Sequence, residues 1–168
     1  MKSLKTLVCV TSFALCFGAA SMASAATFSP GGATFTTNAG GSITVKSPSS
    51  FGGAVTCNIS FTGTVRADGS AADITAATVS GTSQLCSLPH MTNLPWVLSP
   101  AGTVTNVGYT IAAIPPLIPA TNCGPSTIAV TLANVTGGAS LGASNQPLTG
   151  GCTVQSLTVT APGVSVVP

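Results

Sequence analysis

Residues 55–62 read V-T-C-N-I-S-F-T, and this stretch decides the class of fold. Apolar side chains occupy every second position from Val55 to Phe61, and polar side chains occupy the positions between them. Successive side chains of a β-strand point to opposite faces, so the alternation predicts a strand with one buried and one solvated face. Half-buried strands of this kind are typical of antiparallel sheets.

The same pattern recurs on both sides of this strand. Further alternating runs occur at 43–46, 74–79, 103–113, 128–132 and 154–160, and Phe28 and Phe35 flank a turn at 29–32. Segment 137–151 is rich in glycine and is predicted to be a long turn region. Roughly eight to ten short strands predict an all-β fold, a single antiparallel β-sandwich or barrel of Ig-like or Greek-key type with two disulfides.

The first 25 residues are predicted to be a cleavable signal peptide. Lys2 and Lys5 form a basic start, an apolar run covers 7–20, and A-S-A at 23–25 provides a small-residue cleavage site. The apolar run is too short for a permanent membrane anchor. The sequence therefore predicts a secreted, extracellular protein without a transmembrane anchor, whose single all-β domain covers residues 26–168.

Charge is nearly absent after residue 25. The 168-residue chain has a formal net charge of +2, but two of its four basic residues lie in the predicted signal peptide. Lys46 and Arg66 then balance Asp68 and Asp73, and glutamate does not occur. Nucleic acid and anionic lipid are excluded as partners because both require a basic patch. Near-zero charge favours association with a surface or with other copies of the chain.

Residues suited to catalysis or metal binding are scarce. General acid–base chemistry would fall on one histidine, His90, and two aspartates. The sequence contains neither the G-x-S-x-G motif of a nucleophile elbow nor a C-x-x-C pair of the kind that binds zinc. We therefore predict that the protein is not an enzyme and uses no catalytic residue, cofactor or metal. The role of His90 is left open.

Four cysteines follow the predicted cleavage site: Cys57, Cys86, Cys123 and Cys152. An even number in an exported protein predicts two disulfides. Three pairings are open, and easier local closure favours Cys57–Cys86 and Cys123–Cys152, whose gaps are both 29 residues. Each closed loop would stabilise the fold by about 3–4 kcal/mol.

The segment from Cys86 to Pro100 differs most from the Thr/Ser/Ala-rich remainder. It reads C-S-L-P-H-M-T-N-L-P-W-V-L-S-P and contains the only histidine and the only tryptophan of the chain. We interpret it as a junction held by a disulfide at Cys86 and by a buried indole at Trp96. Trp96 is accordingly predicted to be structural.

A second unusual stretch is I-P-P-L-I-P at 114–119. Its three prolines exclude a central strand, although its other residues are apolar. Two interpretations are open: a loop folded back on the core, or an extended loop with exposed apolar side chains. In the second case it would form an apolar interface. The candidate interface residues are Ile114, Leu117 and Ile118, with Leu94, Val97 and Leu98 as neighbours.

Several short motifs together resemble one known family. They are A-S-A at 23–25, Phe28-Ser29-Pro30, Gly81, Cys86, Leu94-Pro95-Trp96, Cys123 and Cys152. On these residues the chain resembles, over its whole length, the alkane-oxidation protein activator family (PraA/PraB) of pseudomonads. The resemblance implies a secreted, non-enzymatic helper that aids growth on long-chain alkanes by dispersing them. It implies no catalytic residue.

Two functions are consistent with these features. The first is a secreted surface-active protein that adsorbs at the oil–water interface and aids dispersal and uptake or oxidation of long-chain alkanes; its partner is an alkane or another hydrophobic surface. The alternative is a structural subunit of an extracellular or biofilm-matrix fibre. In that alternative, segment 26–45 donates a strand to a neighbour's sheet edge, and the chain self-associates into oligomers or fibres.

Overall fold

The computed structural model describes residues 25–168, so the predicted signal peptide lies outside the described residues except for Ala25. The described part consists of β-strands, turns and two short 3-10 turns at Pro48–Ser50 and Gln84–Cys86. The strands are β1 (Thr27–Ser29), β2 (Thr34–Thr36), β3 (Ser42–Lys46), β4 (Ala54–Val65), β5 (Ala72–Ser80), β6 (His90–Thr92), β7 (Trp96–Ser99), β8 (Thr103–Ile111), β9 (Thr121–Ala129), β10 (Thr131–Val135), β11 (Gly138–Leu148), β12 (Cys152–Pro162) and β13 (Ser165–Val167).

Eleven of these strands form one antiparallel sheet, and β1 pairs with β13 separately. The main path runs β10-β11-β12-β3-β4-β5-β7-β8-β6, while β2 joins β4 and β9 joins β8. Strand β9 passes through Val130 directly into β10, which pairs with β11. One continuous stretch of chain therefore connects the two ends of the sheet. The resulting architecture is sandwich-like and encloses one apolar core, which confirms the predicted all-β, antiparallel class.

The central strand β4 shows why the sequence folds in this way. Cys57, Ile59 and Phe61 are buried, whereas Thr56 and Asn58 are exposed, as the alternation predicts. Burial of a side chain the size of Ile59 or Phe61 contributes about 1.5–3 kcal/mol. Because β3 and β5 hydrogen-bond to opposite edges of β4, the register of all three is set by which face of β4 must be buried.

The local disulfide pairing is confirmed. Cys57 is bonded to Cys86 with a Cα–Cα distance of 5.6 Å, and Cys123 to Cys152 with 5.8 Å. The first bond attaches the turn at Gln84–Cys86 to β4, and the second joins β9 to the start of β12. Two disulfides are typical of proteins that mature in an oxidising compartment.

The prediction of a turn region at 137–151 is wrong, because Gly138–Leu148 forms strand β11 between β10 and β12. Only Ala139, Leu141 and Leu148 of this strand are buried. The strand is specified by hydrogen bonds to neighbours on both sides rather than by its own weak alternation of side chains.

Segment 26–45, considered above as a donor strand, is paired within its own chain. Strand β1 pairs with β13, β2 pairs with β4, and β3 lies between β12 and β4. Strand β3 is therefore an interior strand of the sheet, where its removal would leave two neighbours without hydrogen-bond partners.

Residues 25–168 include no helix that is both long and apolar enough to cross a membrane.

Candidate functional site

An open groove of about 460 Å³ lies where the turn after β3 meets the loop after β8. Its walls combine apolar side chains with serine and glutamine, and no charged side chain among residues 25–168 lines it. We call it the apolar groove. It is lined by Ser49, Ser50, Phe51, Gly53, Ala54, Val55, Ser83, Gln84, Leu85, Leu117 and Ile118.

Phe51 forms one rim of the apolar groove and is 78% exposed. It ends the 3-10 turn at Pro48–Ser50, and its N–H donates to the Pro48 carbonyl at 2.8 Å. Its φ of 51° lies in the left-handed region, which is unfavourable for a bulky side chain. A left-handed residue is common where a helical turn ends, and here it leaves the aromatic ring exposed to solvent.

A second rim is formed by the loop that contains the predicted interface residues Ile114, Leu117 and Ile118. Leu117 is 71% exposed, Ile114 is 43% exposed, and Ile118 is half-buried against the core. Ile114 and Ile118 exchange backbone hydrogen bonds of 2.8 and 2.9 Å, which close the loop into a tight turn. Leu117 and Ile118 line the apolar groove, while Ile114 stands beside them on the loop.

Buried polar contacts hold the two rims together. The Ser49 N–H donates to Thr121 Oγ1 at 2.9 Å, and Ser49 Oγ donates to the Pro119 carbonyl at 2.9 Å. Ser49 and Thr121 are each 3% exposed, so water does not compete strongly for these bonds. Because Ser49 lies two residues before Phe51, this contact places Phe51 and Leu117 on the same groove.

Leu85, in the 3-10 turn at Gln84–Cys86, also lines the apolar groove. Its N–H donates to Ser83 Oγ at 3.3 Å, and the next residue, Cys86, is bonded to Cys57 of β4. The disulfide thus positions a half-buried leucine beside Val55 in the apolar groove.

Among the three neighbouring interface candidates Leu94, Val97 and Leu98, only Leu98 is buried. Leu98 is 7% exposed and belongs to the core, because in strand β7 it shares a face with Trp96. Leu94 and Val97 are half-buried. The apolar groove is not lined by Leu94, Val97 or Leu98. Trp96 is 5% exposed, donates from Nε1 to the Thr92 carbonyl at 2.8 Å and packs edge-on against Phe61.

Behind the apolar groove lies an interior cavity of about 70 Å³ with almost entirely apolar walls. Ser49, Ser50, Val55 and Leu85 line both spaces, so the cavity adjoins the groove. Its deeper walls come from β4, β5, β8 and the strands that face them. Trp96 and Tyr109 are among its lining residues, and no charged side chain among residues 25–168 is.

Among residues 25–168, only Tyr109 has a buried side-chain oxygen without a hydrogen-bond partner. Burial raises the pKa of its hydroxyl, because the phenolate would lose its hydration, and the nearby Ser47 opposes this shift. The proximity of Ser47 does not amount to a hydrogen bond of acceptable geometry, so the hydroxyl is unsatisfied. Tyr109 and Ser47 both line the interior cavity.

The charged residues lie elsewhere. Arg66 donates to both carboxylate oxygens of Asp73 at 3.0 and 2.8 Å, and this hydrogen bonding lowers the pKa of Asp73. The Ser70 N–H donates to Asp68 at 3.0 Å and lowers the pKa of that carboxyl.

His90 is exposed on β6. Within residues 25–168, no three His, Cys, Asp or Glu side chains are placed to share a metal ion.

Sequence reasoning did not identify Phe51, Leu85 or Tyr109 as site residues. Phe51 carried a usable signal, since an aromatic residue between S-P-S-S and G-G sits in a turn without alternation. Leu85 and Tyr109 carried none, because their roles depend on a disulfide and on the packing around a hydroxyl.

The whole chain matches a known protein family. The family described as "Alkane oxidation protein activator PraA/PraB-like" matches residues 1–168, the whole chain. No curated protein and no solved structure shows significant similarity to the chain.

Proposed function

The chain belongs to the PraA/PraB-like family of alkane oxidation protein activators, and from this premise we propose that it is an exported, non-enzymatic surface-active protein. It adsorbs on liquid alkane through the rims of the apolar groove and so aids dispersal and uptake of long-chain alkanes. The observation that carries the proposal is the exposure of Phe51 and Leu117 on a single uncharged groove.

Transfer of the Phe51 and Leu117 side chains from water into oil provides a substantial free energy of adsorption. Complete removal of a Phe or Leu side chain from water is worth about 1.5–3 kcal/mol. Phe51 is 78% and Leu117 is 71% exposed, so their transfer into oil together contributes about 2–4 kcal/mol. The partly exposed Ile114 adds to this sum, and none of the described residues that line the groove carries a charge whose dehydration would oppose it.

Export and the disulfides belong to the same proposal. Cleavage after Ala25 releases the chain into an oxidising compartment, where both disulfides form. An oil surface promotes unfolding by offering the core an apolar solvent. Cross-links that restrict the unfolded chain oppose this tendency, so the disulfides preserve the shape of the apolar groove during adsorption.

The test compares three purified mature proteins, residues 26–168, in a pendant-drop assay of hexadecane–water interfacial tension. The Phe51→Asn/Leu117→Asn variant removes both rim side chains, and asparagine tolerates the left-handed backbone at position 51. Val135→Asn is the matched control, because Val135 is 42% exposed on β10 and does not line the groove. The double variant should require roughly 30-fold or more protein for the same lowering of tension.

Equal activity of wild type and the double variant would refute the role of the groove. A loss of similar size in Val135→Asn would mean that general surface hydrophobicity drives adsorption instead. Folding of all three proteins is checked by thermal unfolding, in which the asparagine at position 51 should not lower the midpoint.

A fibre subunit that exchanges its N-terminal strand is less well supported, since segment 26–45 is paired within its own chain. Electron microscopy of concentrated mature protein separates the two functions. Dispersed particles are expected, and long regular filaments would favour the fibre.

A further inference from the structure

We propose that the interior cavity is a binding site for one straight-chain primary alcohol, whose hydroxyl bonds to the Tyr109 hydroxyl while its alkyl chain fills the apolar space. This site is distinct from the rims of the apolar groove. It goes beyond adsorption on bulk oil and does not depend on it.

The walls of the cavity select an alkyl chain. Its volume of about 70 Å³ is roughly five times the space that a single water requires. Water in such a space needs two to four polar partners, and the lining is almost wholly apolar. A flexible chain of about half a dozen carbons is similar in bulk to that number of waters and needs no partners along its length.

Tyr109 selects the polar end of the ligand. Its side chain is 8% exposed, and its hydroxyl has no hydrogen-bond partner among residues 25–168. An unsatisfied buried hydroxyl is unfavourable and rare in folded proteins. A ligand hydroxyl can both donate to and accept from the Tyr109 hydroxyl. An alkane fills the same space but forms no bond to that hydroxyl, so the hydrogen bond to Tyr109 favours only the alcohol.

The charges of the chain disfavour a carboxylate or ammonium head. Burial of an ion without a paired charge is strongly unfavourable, and no charged side chain among residues 25–168 lines the cavity. Arg66 is bound to Asp73 at a different place. Lys46 lies between Val45 and Ser47, which line the cavity, so alternation along β3 directs it to the opposite face. The head group is therefore neutral.

The apolar groove provides the approach to this site. Val55 and Leu85 are half-buried and line both the groove and the cavity, together with Ser49 and Ser50. Ser47, at the start of the same turn, places the polar part of the cavity near this junction. Entry of the ligand is therefore expected at this junction, whereas Phe51 and Leu117 line only the groove and do not hold the ligand.

The chain contains its own reporter for the test. Trp96 is the only tryptophan and lines the cavity, so its fluorescence should change when the cavity is filled. Mature protein is titrated with 1-hexanol and, separately, with hexane, below the solubility limit of each. The Trp96 fluorescence of wild type should respond saturably to both ligands. In Tyr109→Phe, binding of 1-hexanol should weaken roughly 3- to 10-fold while binding of hexane stays the same.

Two results would overturn the proposal: a wild type without saturable change in Trp96 fluorescence, or a Tyr109→Phe variant whose affinity for 1-hexanol, relative to hexane, equals that of wild type. A second variant, Val55→Phe, fills the junction between groove and cavity and should weaken both ligands about tenfold. Unaltered binding in folded Val55→Phe would exclude the cavity as the site. Hexanol binding should persist in Phe51→Asn/Leu117→Asn, so failure of this site and failure of interfacial adsorption are distinguishable.

Discussion

Removal of the Cys57–Cys86 disulfide should have two separable effects, one on stability and one on the apolar groove. In the variant Cys57→Ala/Cys86→Ala, the unfolded chain regains the freedom of a loop whose ends are 29 residues apart. For this loop length, the chain-entropy treatment gives a loss of about 3.6 kcal/mol at 25 °C. At about 2–4 °C per kcal/mol, the midpoint of thermal unfolding should fall by about 7–15 °C.

The other disulfide is a matched control. Cys123 and Cys152 are also 29 residues apart, so Cys123→Ala/Cys152→Ala should lose a similar amount of stability. Only the first variant, however, releases the turn that positions Leu85 in the apolar groove. At 25 °C, where both variants should remain folded, only Cys57→Ala/Cys86→Ala should lose activity in the interfacial-tension assay.

Circular dichroism during heating measures the first effect, and pendant-drop tensiometry measures the second. Equal loss of surface activity in the two variants would refute the assignment of Leu85 to a wall that needs the disulfide. A difference of more than about 1.5 kcal/mol in stability would show that local packing, rather than loop length, governs the contribution of these bonds.

Two further predictions concern Trp96 and the ion pair between Arg66 and Asp73. Trp96→Phe leaves the Thr92 carbonyl without its donor and should lower the free energy of unfolding by about 1–3 kcal/mol, as measured by urea denaturation; an unchanged midpoint would contradict a structural role. The hydrogen bonds from Arg66 hold the pKa of Asp73 below its ordinary value, so the stability that this pair contributes is complete above about pH 3.8 and is lost as the pH falls through the lowered pKa. Wild type should therefore be more stable than Asp73→Asn at pH 6 by a small amount, and the two midpoints should converge near pH 2; a constant difference across that range would exclude the ion pair as its cause.

The sequence was a good guide wherever a feature depends on local periodicity. Strand β4 could be predicted because half of its side chains are strongly apolar and the others are polar. Strand β11 could not, because glycine and small polar residues such as Ser140 and Gly142 carry little information about burial. Its place between β10 and β12 arises from pairing with both neighbours.

The candidate interface shows the same limit. Composition drew attention to Leu117 and Ile118, and both line the apolar groove. The same reasoning included Leu98, which is buried, because it did not apply the alternation that places Leu98 on the face of Trp96. Exposure of a single apolar residue depends on what packs over it, and that neighbour is distant in the chain.

Sequence alone determined the all-β class, the four cysteines available for disulfides, the scarcity of charge and the family, since each of these follows from composition, alternation or linear motifs. Tertiary structure decided that Phe51, Leu85 and Leu117 share one groove. The bond from the Ser49 N–H to Thr121 joins residues 72 positions apart, and the Cys57–Cys86 disulfide joins residues 29 apart. Contacts of this kind leave no periodic trace in the chain, because they depend on how strands pair and where their loops meet.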